Sequence, residues 1–352
     1  MMSVRQRRME MGKQQRSRIA WLVVGGMVCV LQGCVSAPGA GAQAATVAPR
    51  PETSAEVQVT PAGYAYPDQA TFEVLSWNVE HFVDGLDDPY IDNEREDKPN
   101  ADMGTRVAYL AEALRKADAD IVVLQEFEST KYLRQFAAEQ LAGMDYAFFA
   151  SAPSDNWYMN VVVMSKFPLG ILYAYGNVTT PVVDYTNEEG LTETQNNINT
   201  RMWSVEVFPA EDYQFILTGL HLKAGRGERN EAMRLGQINF LKQQFTRFLN
   251  ANASQNLLIA GDLNSTLGSR EIETLKAGES EGETFYDPLP ADLLTHPADD
   301  PSRRLDYVLV NGNMQKEYQP GSAEVPDLLA PEKRRVLSDH LPLSITFGRG
   351  DR

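Results

Sequence analysis

The chain has 352 residues, room for a compact domain of more than about 200 residues with a sizeable core, plus an appended segment. Its 32 basic and 48 acidic residues give a net charge of −16, which opposes nonspecific attraction to polyanions and anionic lipid surfaces. This argues against a protein that coats DNA, while leaving open a nuclease whose site is neutralised locally by a metal.

The appended segment is N-terminal. Arg5, Arg7, Arg8, Lys13, Arg16 and Arg18 form a basic region, residues 19–31 are apolar, and small residues surround Cys34. That is the layout of a secretory signal, and the apolar run falls short of the roughly 20 residues of a spanning helix. The string LQGC at 31–34 resembles a bacterial lipobox, with Gln32 an unusual residue at its position. Residues 1–33 are therefore expected to be a signal peptide, with Cys34 as the lipidation site. The alternatives are an uncleaved anchor or a cut near Ala42–Ala44. Cys29 would leave with the signal, so Cys34 would be the last thiol and no internal disulfide could form. Cleavage removes 6 of the 32 basic and 1 of the 48 acidic residues, leaving 26 against 47 and a net charge of −21. Residues 34–70, rich in Ala, Pro, Gly, Ser and Thr, read as a flexible tether. The expected setting is extracytoplasmic, membrane-anchored through lipid alone, and monomeric.

From residue 71 to 349 strand-like and helical runs alternate as in a layered α/β domain. The run FEVLSWNVE at 72–80 is followed by an acidic, turn-rich stretch at 84–100, which reads as a solvated loop. Residues 103–116 have helical spacing, 120–128 (DIVVLQEFE) form a buried strand, and 129–142 are helical again. Strands are expected through most of 144–220, ending in ILTGLHLKAG at 216–225. Residues 228–249 place Met233, Ile238, Leu241, Phe245 and Phe248 on one stripe of a surface helix. NLLIAGDLN at 256–264, RRLDYVLV at 303–310 and LSDHLPLSITF at 337–347 complete the strands.

Five of these apolar runs end on or beside acidic, amide or histidine residues, and a sixth begins at Asp306. Buried strands read as near-continuous Val, Ile and Leu runs, so such ends would gather along one rim of a stacked sheet. Asp262 and Asn264 have strand period and would offer a carboxylate and an amide to one site; an Asx-type turn is the structural alternative. Gly261 permits close approach. Asp339 and His340 set a carboxylate beside an imidazole that titrates near neutrality. Glu126 ends an apolar run where an unpaired carboxylate is costly, so a divalent cation is its natural partner, and oxygen ligation with Asn78 would suit Mg²⁺ or Mn²⁺. His221 leads into a Gly-rich basic loop where Arg226 and Arg229 could hold an anion, or simply be exposed at a helix entry. His81 and His296 read as structural or loop residues.

Taken in order, WNVE, LQEFE, HLKAG, GDLN, RLDYVLV and SDHLPL resemble the motifs of the endonuclease/exonuclease/phosphatase superfamily, the DNase I-like fold, from about residue 70 to 348. The resemblance implies a four-layered α/β/β/α sandwich and Mg²⁺-dependent hydrolysis of phosphoesters. It implies Glu126 as principal metal ligand with Asn78 beside it, and Asp262 and Asn264 orienting water and a phosphate oxygen. Asp306 would hold and polarise His340, His221 would act from the other side of the phosphorus, and Asp339 would serve a second metal. Asp155 and Tyr158 are candidates for orienting His221. RRLDYVL lacks the Trp-x-Asp-Arg pattern of inositol polyphosphate 5-phosphatases, and NVEHFVDGLDDPY is similar to the opening of secreted bacterial members.

The expected activity is a nuclease-type phosphodiesterase acting by in-line attack of an activated water. A phosphomonoesterase, a sphingomyelinase-like lipid phosphodiesterase and a non-catalytic surface binding protein are the alternatives. Loops 84–100 and 182–199 would choose the substrate.

Overall fold

A computed structural model describes residues 60–152, 157–176, 178–196, 198 and 201–350. The strands are β1 (Thr71–Phe82), β2 (Ile121–Phe127), β3 (Phe148–Ala150), β4 (Asn160–Ser165), β5 (Leu169–Tyr173), β6 (Thr180–Thr186), β7 (Thr192–Gln195), β8 (Met202–Ala210), β9 (Tyr213–His221), β10 (Leu257–Asp262), β11 (Phe285–Tyr286), β12 (Asp306–Asn311) and β13 (Leu343–Gly348). The helices are α1 (Glu94–Asp97), α2 (Met103–Ala117), α3 (Thr130–Gln140), α4 (Glu228–Ala251), α5 (Arg270–Lys276), α6 (Gly312–Gln315) and α7 (Pro331–Leu337). One sheet has the order β13-β1-β2-β4-β3, the other β11-β12-β10-β9-β8-β5, and β6 and β7 form a separate hairpin.

Strand periodicity explains why these runs are apolar throughout. Successive side chains alternate between faces, so Val74 and Val123 enter the core shared by the two sheets while Leu75 and Val122 face α2 and α3. In the second sheet Leu217, Leu258 and Val308 point to the shared core, while Ile216, Ile259 and Leu309 pack with Ile238 and Leu241 of α4 and Ile272 of α5. With both faces covered, alternation of polar and apolar residues disappears. Each fully buried Val, Leu or Ile contributes about 1.5–3 kcal/mol. The result is the four-layered α/β/β/α sandwich.

Three segments differ from their sequence reading. Residues 182–199 are largely the β6–β7 hairpin, fastened to α4 by Gln195 Nε2 donating to Met233 O (2.6 Å) and Gln237 Nε2 donating to Gln195 Oε1 (2.9 Å). The Gln195 and Gln237 side chains serve here to pair a hairpin with a helix. Within 84–100, Asn93 caps α1 by accepting from the Arg95 amide at 3.1 Å. The residues just before β1 are docked: Tyr64 donates its hydroxyl to Lys166 O (2.9 Å), and Arg349 Nη1 donates to Gln69 O (2.7 Å). The expected signal peptide, Cys34 and the expected tether as far as residue 59 lie outside the described residues. Among the described residues no helix is long and apolar enough to cross a membrane.

Candidate active site

Strand register assembles the site. In the second sheet Asp262 of β10 lies opposite His221 on parallel β9 and opposite Asp306 on antiparallel β12, so three adjacent strand ends carry the three groups side by side. In the first sheet Asn78 of β1 is in register with Gln125 of β2, and Glu126 follows at the bulge where this pairing shifts. Asn78 connects the sheets by donating Nδ2 to Glu126 Oε1 (3.2 Å) and to Asp262 Oδ2 (3.1 Å). Its Oδ1 accepts from the Glu80 amide at 3.0 Å. In this orientation the amide aligns two carboxylates, and its Oδ1, with one lone pair taken by the Glu80 amide, keeps the other for a further partner. A flipped amide would lose all three bonds.

The segment carrying His340 is locked onto β1. Ser338 Oγ donates to Asn78 O (2.7 Å) and accepts from the His340 amide (3.0 Å), while Trp77 Nε1 donates to His340 O (2.9 Å). From α2, the buried Arg106 reaches the carbonyls of Val79 (2.7 Å), Glu80 and Leu337 (2.7 Å), fixing both sides of this junction. Positive φ angles at Glu80 (45°), His81 (48°), Glu126 (58°) and Asn264 (50°) concentrate backbone strain at the same rim.

His340 Nδ1 donates to Asp306 Oδ2 at 2.8 Å, and its Nε2 lies 3.7 Å from Asp262 Oδ2. Burial works to lower the His340 pKa, but the charges of Asp306 and Asp262 and the Asp306 hydrogen bond raise it to about 10, so the ring is an imidazolium at neutral pH. Asp262 is pushed up to about 7, first by burial and then by Asp306, against the pull of His340. Its Oδ1 accepts from the Asn264 amide at 2.7 Å, and Asn264 Nδ2 donates to Leu222 O at 3.1 Å. GDLN is thus both an Asx-type turn and part of the site.

His221 is enclosed, with Nε2 at 3.7 Å from Glu126 Oε1 and 3.8 Å from Asp262 Oδ2. Burial lowers its pKa to about 4, so it is neutral at neutral pH. Its Nδ1 is buried without a hydrogen-bond partner. Tyr158 does not orient it, because the phenol pairs with His81 Nδ1 at 3.1 Å, and Asp155 lies outside the described residues. Burial by itself would raise the Glu126 pKa; His221, His81, the Asn78 amide and the His81 N–H outweigh it and hold the carboxyl below its usual range.

Two histidines read as peripheral belong to this rim. The His81 amide donates to Glu126 Oε2 at 3.0 Å, and its Nδ1 lies 3.6 Å from the same oxygen. His296 Nε2 donates to Asp339 Oδ2 at 3.3 Å, and its ring meets that of His340 edge-on at 4.7 Å. All four histidines of the chain therefore converge. His296 lies away from the strand-end motifs, whereas His81 directly follows WNVE near the end of β1. Arg226 and Arg229 are both exposed, and Arg229 Nη2 pairs with Glu193 Oε2 of β7 at 2.7 Å. Arg201 also belongs to the site. Its guanidinium lies 5.4 Å from the Trp157 ring centroid, and burial lowers its pKa while the charges of Glu126 and Asp262 support it. A cleft of about 200 Å³ lined by Glu80, His81, Arg95 and Arg106 places loop 84–100 against this rim.

The His340 shift has a thermodynamic consequence for metal-free protein. A group whose folded pKa lies above its unfolded value, ~6.5 for histidine, stabilises fully below that value and loses the contribution as pH rises through the folded pKa of about 10. In EDTA, His340→Gln is expected to lower the melting temperature most near pH 6 and progressively less toward pH 10.5. A deficit constant across that range would contradict a charged ring.

Residues 75–340 match the model of the endonuclease/exonuclease/phosphatase family. No curated protein matches the sequence. Among solved structures, TDP2 from Caenorhabditis elegans superposes with a TM-score of 0.52 at 15% identity, covering 79% of this chain and 74% of that one. D. rerio TDP2 complexed with a single-strand DNA product gives 0.50 at 16% identity over 80% and 100% of the two chains. The human Nocturnin catalytic domain with bound sulfate gives 0.50 at 16% identity over 79% and 93%. At these identities the structures attest the fold, and the family match spanning most of the sequence attests the lineage: the chain belongs to the endonuclease/exonuclease/phosphatase family.

Proposed function

We propose that this phosphoester hydrolase is a divalent-metal-dependent phosphodiesterase of nuclease type, held outside the cytoplasm by lipid on Cys34. The observation that carries the reading is the Asn78 bridge, which joins Glu126 of one sheet to Asp262 of the other and sets both beside the Asp306–His340 pair.

The residues fit a hard divalent cation. Glu126 keeps a side-chain exposure of 14%, and each of its oxygens accepts one N–H, leaving lone pairs open. Mg²⁺ or Mn²⁺ bound beside Glu126 would supply charge neutralisation of the phosphoryl oxygens and of the leaving oxygen. Asp262, held by Asn78 and Asn264 with a pKa near 7, accepts the proton of the attacking water. His340, kept protonated by Asp306, donates from Nε2 to a non-bridging oxygen as its charge grows. Arg201 supplies a fixed positive charge on the Trp157 side. Asp262, Glu126, Asp306 and Asp339 make the site rich in carboxylates, which suits a monoanionic diester better than a dianionic monoester.

A nucleic-acid strand is the first substrate class, in keeping with the DNA product in the D. rerio TDP2 structure. A lipid phosphodiester is the second, because Leu86 and Tyr90 are 66% and 79% exposed on loop 84–100, which also supplies Arg95 to the cleft.

The test compares plasmid DNA, an aryl phosphodiester, sphingomyelin and an aryl phosphomonoester with Mg²⁺, Mn²⁺ or EDTA, on wild type and Glu126→Gln. Diester cleavage that needs metal, and a loss of about 10²-fold or more in Glu126→Gln, is expected. Cleavage surviving EDTA and the substitution would sink the proposal.

A further inference from the structure

We propose that His296, Asp339 and His340 form a separate, nitrogen-preferring metal site that takes Zn²⁺ and arrests hydrolysis by occupying Nε2 of His340. The arrest rests on the role given to His340 above; the binding does not.

One ligand atom from each residue lies within 4.8 Å of the others. Asp339 sits between the two imidazoles, with Oδ2 at 3.3 Å from His296 Nε2 and Oδ1 at 3.8 Å from His340 Nε2. Its carboxylate already engages both nitrogens, as a cation placed among the three would. The backbone holds this arrangement in advance: Ala298 N donates to Asp339 O and Leu341 N donates to Thr295 O, each at 2.8 Å, stitching the two segments together. His296 is further fixed by its backbone pairing with Arg303.

The donor set selects the ion. Two imidazoles and one carboxylate suit Zn²⁺ and related imidazole-seeking ions, whereas Mg²⁺ prefers the oxygens near Glu126. Asp306, bonded to His340 Nδ1 at 2.8 Å, orients Nε2 outward as a carboxylate does behind a metal-bound histidine. Asp339 is 48% exposed, so a fourth position opens to solvent. Binding expels the Nε2 protons, and that of His296 shifts to an Nδ1 that is buried without a partner. This unmade hydrogen bond weakens the site by roughly tenfold or more, and displacing the proton that Asp306 and Asp262 hold on His340 weakens it further at neutral pH. With Nε2 on a metal, His340 has no proton to offer a phosphate oxygen.

The experiment uses the full chain with its thiols alkylated, because free Cys29 and Cys34 thiols would compete for zinc. Zn²⁺ binding is measured by competition with a chromophoric chelator in excess Mg²⁺, on wild type, His296→Gln and Asp339→Asn, each checked by thermal melting. One Zn²⁺ per chain is expected, weakened at least about tenfold in whichever variant is folded. In Mg²⁺-supported hydrolysis, each protein scaled to its own zinc-free rate, the inhibition midpoint should follow the binding midpoint and shift with it. Binding unchanged by both substitutions, or no binding below about 100 μM, overturns the site. Binding as expected without inhibition overturns the arrest, and absence of hydrolysis under every condition overturns the reading of function while the binding result decides the site.

Discussion

Replacing His340 by alanine is expected to lower kcat on a diester substrate by about 10²–10⁴-fold, and Asp306→Asn to fall in the same range. The double variant should be little worse than either alone. The reason is geometric. Asp306 Oδ2 holds His340 Nδ1 at 2.8 Å, and its charge is the largest influence keeping the ring protonated against burial. Without Asp306 the ring loses its orientation and the largest influence keeping it charged, so the second substitution removes a group that is already badly placed, and such effects do not add. Single-turnover kinetics on the four proteins checks this. Additive losses would mean that Asp306 and His340 act separately, and the imidazolium would lose its assigned role.

Gly261→Ala is expected to destabilise the protein by about 4 kcal/mol or more, enough to prevent isolation of folded protein in many conditions. Gly261 has φ +148°, and a Cβ there would stand 1.9 Å from Leu220 O of the adjacent β9. The obstacle is backbone within the parallel β9–β10 pairing, so no side chain can swing away. Strand separation would move Asp262 away from His221, with which it is in register. Urea unfolding or thermal melting of the variant checks this, and a near-wild-type midpoint would show that β9 and β10 part easily.

The layered architecture was legible because strands covered on both faces must be apolar along their length, and Val74/Leu75 and Val122/Val123 serve two cores at once. The polar ends of those strands were legible for the same reason: Glu126, Asp262 and Asp306 stand out against their apolar runs. Arg201, Arg106 and His296 were not, since each reaches the rim across sequence separations that local spacing does not encode; His81 adjoins WNVE, but its contact with Glu126 crosses between strands. Arg106 illustrates this, binding carbonyls of residues 79 and 337 from the middle of a helix. For Arg226 and Arg229 the basic Gly-rich loop left two readings open, and the structure adds the pairing of Arg229 with Glu193, which local spacing does not encode.

Chain order and residue chemistry were therefore sufficient for the fold, the lineage and the groups at strand ends, because periodicity and burial act over a few neighbouring residues. The protonation of His340, the neutrality of His221, the bridging amide of Asn78 and the gathering of all four histidines depend on distances between separate strands and loops. Charges and hydrogen bonds act through space at 3–4 Å, and those separations exist only once the two sheets are stacked.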